Sequence, residues 1–423
     1  MPPAKLLLLG IAACAVAAAQ PTYSKEVSRI MQAKCQQCHR EGDIAPFAFD
    51  SYDAVVRRAS TIQSALATRR MPPWKPKDGF GEFRDSYQLT EDERTLLLNW
   101  LASGMPEGDP ANLPEPLKNK SDWPLGPPDA VLTVAKPYTP PVGADVYRCF
   151  VLPTDSSGAG YLSAIDVLPG ARQVVHHVLM YQDTEGVGVD LDGKDGAPGY
   201  PCFGGTGIQI SLSNLTAALG GWAPGQRTRF LPDGIGIQLK KNANIIIQVH
   251  YHPTGATAED QTRIGLYYSK MPIQQRLFMV PVVNTGFKIP PGEENFEVNA
   301  AFTVLPFLDA HAIWIYPHMH LLGRDIKVDM VNRDRSVTPI IWEDNWDFNW
   351  QGSYTFKDQI AVPSGSTLRL KCTFDNSTNN LRNPNSPPVP VGWGEQTTDE
   401  MCLAFAGVTL DFERFLPLQA PRE

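Results

Sequence analysis

Charge is scarce in this chain. Asp, Glu, Lys and Arg make up 19% of its 423 residues, and the formal net charge is −8. Average usage is about 25% charged. A disordered chain would need more charge and fewer apolar groups, and apolar residues here reach 43%. The acidic balance argues against a nucleic-acid surface. Long apolar runs are missing after the first 19 residues, and histidine is rare, with eight in all. The composition also lacks the Ala, Glu, Lys and Leu excess of a bundle or coiled coil. What is plentiful is turn chemistry: 34 Gly and 38 Pro, above the roughly 7% and 5% of average usage. That texture predicts a turn-rich β protein, and the length predicts two to four domains.

The single apolar run follows Lys5, from Leu6 to Ala13, and ends in Ala17-Ala18-Ala19 before Gln20. A basic start, a short apolar stretch and small residues read as an export signal over 1–19, too short to span a bilayer. Ile11-Ala12-Ala13-Cys14 also resembles a lipoprotein box, which would make Cys14 a lipid anchor. The expected location is periplasmic or extracellular. Cys149, Cys202, Cys372 and Cys402 are then an even set in an oxidising compartment, where two disulfides are the default.

The chain divides in three. Residues 20–105 carry helical signals. Ser24 can cap a helix with Val27, Ile30 and Met31 on one face, and Val55, Ala59, Ile62 and Leu66 share another. Thr90 and Glu93 form a capping box ahead of Leu96, Leu97, Trp100 and Leu101, and Gly104 stops that helix. Residues 106–128 hold seven prolines and read as a linker or surface arm. From 129 onward short β-branched runs alternate with turns, enough chain for two β domains, 129–280 and 281–423.

Two constellations carry chemistry. Cys35-Gln36-Gln37-Cys38-His39 spaces two thiols for thioether links to haem vinyls, with His39 as axial nitrogen. A redox pair or zinc half-site is the competing reading, but zinc would want a second cysteine pair and none lies nearby. Met71, opening Met71-Pro72-Pro73-Trp74, is the expected sixth ligand, Met105 its competitor, and Met31 a core residue. The remaining histidines fall mostly in pairs: His176-His177, His250-Tyr251-His252 and His318-Met319-His320. On a strand, residues i and i+2 share a face, so H-x-H can present two imidazoles to one metal. Adjacent His176 and His177 need a bulge or a strand end to do so. Imidazole with little carboxylate suits copper, zinc or iron. Spacing excludes a blue-copper loop, a facial triad and H-E-x-x-H.

Val175-His176-His177-Val178, Gln248-Val249-His250-Tyr251-His252, Pro317-His318-Met319-His320 and Asp399-Glu400-Met401-Cys402 occur in this order. Over about 129–415 the chain resembles the type II, ascorbate-dependent copper monooxygenases, the group of dopamine beta-hydroxylase and peptidylglycine alpha-hydroxylating monooxygenase. The N-terminal third is similar to small bacterial cytochromes c. The resemblance implies a small all-α cytochrome c domain followed by two antiparallel, jelly-roll-like β-sandwiches. It implies one covalent haem c and two copper ions. One copper would take His176, His177 and His250 for electron transfer. The other would take His318, His320 and Met401, where O2 and substrate meet. Soft sulfur beside imidazole favours Cu(I). His252 could support the first copper, and His311 is read as structural. Disulfides Cys149–Cys202 and Cys372–Cys402 would each stay within one sandwich.

The Arg, Asn and Tyr with which peptidylglycine hydroxylases grip the substrate carboxylate are replaced here by Tyr316, Leu403 and Phe405. An apolar or aromatic small molecule therefore suits the pocket better than a peptide C-terminus. The expected partners are that substrate, O2 and a reductant or electron-donor protein. The expected activity is hydroxylation of a C–H bond, with electrons from the haem or an ascorbate-like reductant. An electron-transfer or copper-binding haem protein without hydroxylase activity is the alternative.

Overall fold

The computed structural model describes residues 20–415 apart from 42–44, 85, 118–122, 144, 155–159, 209–213, 224–225, 227, 253–254 and 256. The expected export signal and Cys14 lie outside the described residues. The chain forms two compact units, and the larger is mostly β-sheet.

The smaller unit holds residues 20–41, 45–72 and 87–116, and its regular elements are helical among the described residues. Helices Ser28–Lys34, Tyr52–Val56, Ala59–Ala67 and Glu91–Ala102 surround a core containing Val27, Met31, Leu66, Leu97 and Trp100. The capping box at Thr90 and Glu93 is formed, and Gly104 takes φ +87° just past the helix it ends. Two local expectations differ. The first helix is entered through a π-turn, Tyr23–Val27, so Thr22 rather than Ser24 is its cap, and the Ser24 side chain is buried. The apolar pattern from Val55 to Leu66 spans two helices, separated at Arg57 and Arg58.

The boundaries expected at 20–105 and 106–128 also shift. Pro106 accepts from Tyr23 N and Trp100 Nε1, and Glu115 O accepts from Gln32, so 106–116 packs on the helical unit rather than linking freely. Trp123 is buried in the larger unit, with Arg263 over its ring. Pro73–Ser86 also belongs to the larger unit, because Trp74 and Phe83 bury their rings there.

The larger unit contains two sandwiches. In the first, one sheet orders Ala130–Thr133, Arg263–Tyr268, Gly160–Leu168, Ile235–Leu239 and Gln275–Arg276. The facing sheet orders Tyr200–Pro201, Val146–Leu152, Asn244–Tyr251, Val175–Asp183 and Ala218–Trp222. Asn244–Tyr251 is a central strand buried on both faces, which is why Ile245-Ile246-Ile247 is apolar without alternation. Leu162 and Ile264 meet Phe150, Val178 and Ile247 in the core between the sheets.

The second sandwich pairs Phe278–Asn284, Cys402–Leu410, Ala310–His318 and Tyr354–Val362 in one sheet. Phe296–Thr303, Thr367–Phe374, Gly323–Val331 and Val337–Glu343 form the other. Sheet membership changes at Leu277, slightly ahead of the expected 280/281 boundary. Cys149–Cys202 lies within the first sandwich, and Cys372–Cys402 joins the two sheets of the second, as expected.

Candidate metal centres

His177 and His250 sit directly opposite one another on neighbouring antiparallel strands, so their side chains share a face. The register shifts between Val175 and His177, which makes His176 the extra residue of a bulge. That bulge lets adjacent histidines converge: one ligand nitrogen from each of His176, His177 and His250 fits within 4.8 Å. His176 Nδ1 approaches His177 Nδ1 to 3.2 Å. Tyr147 stacks flat on His250 at 4.2 Å. Neither ring nitrogen of His250 has a hydrogen-bond partner, although the side chain is buried. Asp145 Oδ2 lies 3.4 Å from Nε2, outside hydrogen-bond geometry. Burial, with mutual repulsion of the charged rings, holds His176 and His177 well below the ordinary histidine range. Neutral imidazoles with orphaned nitrogens are the donor set that copper or zinc takes.

His318 closes strand Ala310–His318 and His320 follows it. His318 Nδ1 donates to Gln351 Oε1 at 2.6 Å, and His320 Nδ1 lies 3.1 Å from the carbonyl of Asp399. Each ring therefore keeps Nε2 for a metal. Burial pushes His318 down to about 4 and His320 to about 3. Glu400 fastens this turn by accepting from His320 N at 2.9 Å, Leu322 N at 2.6 Å and Met401 N at 3.2 Å. Leu403 pairs with His318, which puts Met401, two residues earlier, at the same end of the sheet. The donor set of two imidazoles and a thioether fits copper(I).

The sequence motifs suggested one histidine set per sandwich, and the fold brings those sets side by side. His177 and His318 ring centres are 6.4 Å apart. Phe348 stacks on His176 at 4.7 Å and meets His320 edge-on at 5.9 Å. A loop before Met401 crosses between the sandwiches: Tyr147 Oη donates to Glu395 O at 2.5 Å, and the Thr397 hydroxyl donates to Asp145. His252 is not in the trio; its Nδ1 lies 2.6 Å from Asp145 Oδ1, and its side chain is 46% exposed. His311 pairs with Asp411 at 2.8 Å. Gln351, Phe348, Asp145 and Glu400 were not singled out from sequence. Only Glu400 carried a signal, its place beside Met401.

In the helical unit His39 Nδ1 lies 3.1 Å from Phe47 O, which leaves Nε2 for another partner, and its ring stacks on Phe49 at 4.5 Å. Neither Cys35 nor Cys38 takes part in a disulfide, and burial pushes the Cys35 thiol up to about 12. Cys35 and Met105 both pack on the unit's core cluster; Met71 is half-buried and outside it.

Comparison with known proteins points the same way as the donor sets. Residues 276–407 match the family "Copper type II ascorbate-dependent monooxygenase, C-terminal domain". The chain is 23% identical over 308 residues to human "DBH-like monooxygenase protein 1", covering 65% of this chain and 48% of that one. It is 22% identical over 255 residues to "MOXD1 homolog 1" of Drosophila melanogaster, covering 55% and 35%. The chain thus spans about half or less of the length of these curated relatives. Among solved structures, peptide N-glycanase F has a TM-score of 0.29 and 12% identity over 69% of this chain and 98% of that one. That likeness is too slight to bear on fold or function.

Proposed function

We propose that this is an exported, two-copper monooxygenase that hydroxylates a C–H bond of a small apolar or aromatic molecule. The observation that carries the reading is the pairing of two different donor sets, three imidazoles beside two imidazoles and Met401. Bound copper would supply one-electron redox chemistry and O2 activation at these positions. The balance is R–H + O2 + two electrons + two protons giving R–OH + H2O. Each copper holds one electron, so a one-electron donor must act twice per turnover. His176, His177 and His250 would hold the electron-transfer copper. His318, His320 and Met401 would hold the copper at which substrate reacts, with Tyr316, Leu403, Phe405 and Phe348 shaping an apolar surround. Gln351 and the Asp399 carbonyl fix the two imidazoles, and Glu400 holds the turn.

The helical unit would serve as a monohaem cytochrome, with haem bonded through Cys35 and Cys38 and axial His39 and Met71. A His/Met haem is a one-electron carrier and suits the His176/His177/His250 copper; an ascorbate-like reductant is the other source. Met71→Ala should abolish the red-region charge-transfer band of Met–iron ligation; loss through Met105→Ala instead would move the assignment to Met105. Two disulfides suit an oxidising compartment. No helix among the described residues is long and apolar enough to cross a membrane. The decisive test is an untargeted product screen with labelled O2 on copper-loaded protein. One labelled oxygen in product, with matching O2 consumption, is expected; bound copper without oxygenated product leaves the electron-transfer alternative.

A further inference from the structure

Segment Pro73–Ser86 lies on the second sandwich, although the residues before and after it belong to the helical unit. It is fastened by backbone. Lys77 N donates to Trp342 O at 2.8 Å, Arg84 N to Thr355 O at 2.9 Å, and Lys357 N returns to Glu82 O at 2.8 Å. Side chains add to this: Trp74 meets Tyr354 edge-on at 5.4 Å, and Lys77 Nζ pairs with Asp344 at 2.8 Å while covering the Trp342 ring.

Lys75 reaches further inward. Its Nζ lies 3.7 Å from Asp347 Oδ2, and the two side chains are only 13% and 16% exposed. Asp347 organises the turn that follows it, accepting from Asn349 N at 3.2 Å and, through its backbone carbonyl, from Trp350 N at 2.8 Å. The same turn ends in Gln351, whose amide donates to Phe348 O at 2.9 Å and whose carbonyl takes His318 Nδ1 at 2.6 Å. One residue before Asp347, Trp346 Nε1 donates to His320 O at 3.0 Å. From Lys75 the ion pair thus reaches Asp347, the turn that Asp347 opens ends in Gln351 on the His318 ring, and the residue before it, Trp346, holds the His320 backbone carbonyl.

The geometry points to Lys75 as a positioning residue for the His318/His320/Met401 centre, acting through Asp347 and Gln351. The strap is then part of that centre's wall, and it begins two residues after Met71. A largely buried ammonium facing a largely buried carboxylate is a directional restraint that an apolar residue could not supply; without it Asp347 would keep only the more exposed Arg382, 3.6 Å away, among the described ion pairs. The first centre is aimed mainly by strand pairing, with Tyr147 stacked on His250 and with Phe348 of this same turn stacked on His176, so the strap should act chiefly on the second centre. This inference rests on the copper reading for its metal consequence but not for its structural one.

Both can be measured separately. In metal-free full-length protein labelled with ¹⁵N-histidine, Lys75→Gln should shift the His318 and His320 ring resonances most, His176 less through its stack on Phe348, and leave His250 in place. Lys75→Arg should restore the original positions. Loaded with copper, Lys75→Gln should weaken one of two copper equivalents by about 10-fold, the lower range for an outer-sphere partner. Unshifted His318 and His320 rings would overturn the inference. So would shifts spread equally over all the histidines, or a Lys75→Arg variant as altered as Lys75→Gln, since either marks a merely structural role. Wild-type protein that takes up no copper would sink the functional reading, while the metal-free resonances would still decide the role of Lys75.

Discussion

The two histidine sets reach a similar chemistry by opposite means. His176, His177 and His250 sit on adjacent central strands; a bulge and direct cross-strand pairing aim them, and the nitrogens of buried His250 make no hydrogen bonds. His318 and His320 stand where a strand ends, and each ring is turned by a partner, Gln351 or the Asp399 carbonyl. The first set takes its geometry from the sheet, the second from loops. Sheet positions change little when one neighbour is altered, whereas loop positions depend on each contact. The second set should therefore be the more sensitive to changes outside its own ligands.

The largest effects should come from the ligands themselves. Copper-loaded His250→Ala and Met401→Ala should each lose or greatly weaken one copper, by more than about 100-fold in affinity, the upper range for outer-sphere changes. His250→Ala should block re-reduction while the Met401 copper still binds carbon monoxide. Met401→Ala should leave haem-to-copper transfer intact and abolish product. If either substitution removes both coppers, the adjacent sets form one cooperative site, and the contrast drawn between them fails. Stopped-flow mixing of reduced protein with O2 checks the direction of electron flow: the haem should oxidise with the coppers, and a haem that stays reduced at full product rate is not the donor.

Next in size is a difference in buried charge. In the first sandwich, buried Asp260 is satisfied by Ala171 N, Tyr251 Oη and Thr262 Oγ1. In the second, fully buried Glu343 has no hydrogen-bond partner for either oxygen, and burial pushes its carboxyl up to about 8. The folded protein then holds this proton between the ordinary glutamate range and pH 8, while the unfolded chain releases it. Stability from this group is full in acid, falls as pH rises through that window, and is lowest above pH 8. The loss amounts to roughly 5 kcal/mol at most. Glu343→Gln should flatten the decline, and denaturant melts at pH 5, 7 and 9 measure it. Parallel curves for the two proteins would show that Glu343 ionises normally.

Much of this was legible in the residues. The helix after Thr90, the strands around Ile245–Ile247 and Thr367–Phe374, the two disulfides and the need for a bulge at His176-His177 all follow from local pattern. What escaped was non-local. Gln351 lies 33 residues beyond His318 in a loop without periodicity, and Asp145 reaches His252 across 107 residues. Trp74 and Phe83 looked like parts of a helical domain because they lie between its helices in sequence. Only packing shows that their rings bury in a different unit.

Gln351 and His252 offer the two smaller tests, one in each set. Gln351→Leu removes the acceptor for His318 Nδ1 while keeping the bulk, so copper at that centre should weaken by about 10–100-fold. His252→Ala is the counterpart in the first sandwich. The ring is half exposed and bonds to Asp145, which also receives the Thr397 hydroxyl from the loop before Met401. Sequence spacing alone allowed His252 to join His250 on a metal. The bulge at His176 instead completes a trio without it. Removing His252 should then leave two copper equivalents bound. Affinity should fall by less than about 5-fold, since an exposed ion pair contributes at most about 1 kcal/mol. A competition titration against a copper chelator measures this directly. Should His252→Ala cost a whole copper equivalent, His252 is a ligand, and the first set leans on its neighbours as much as the second.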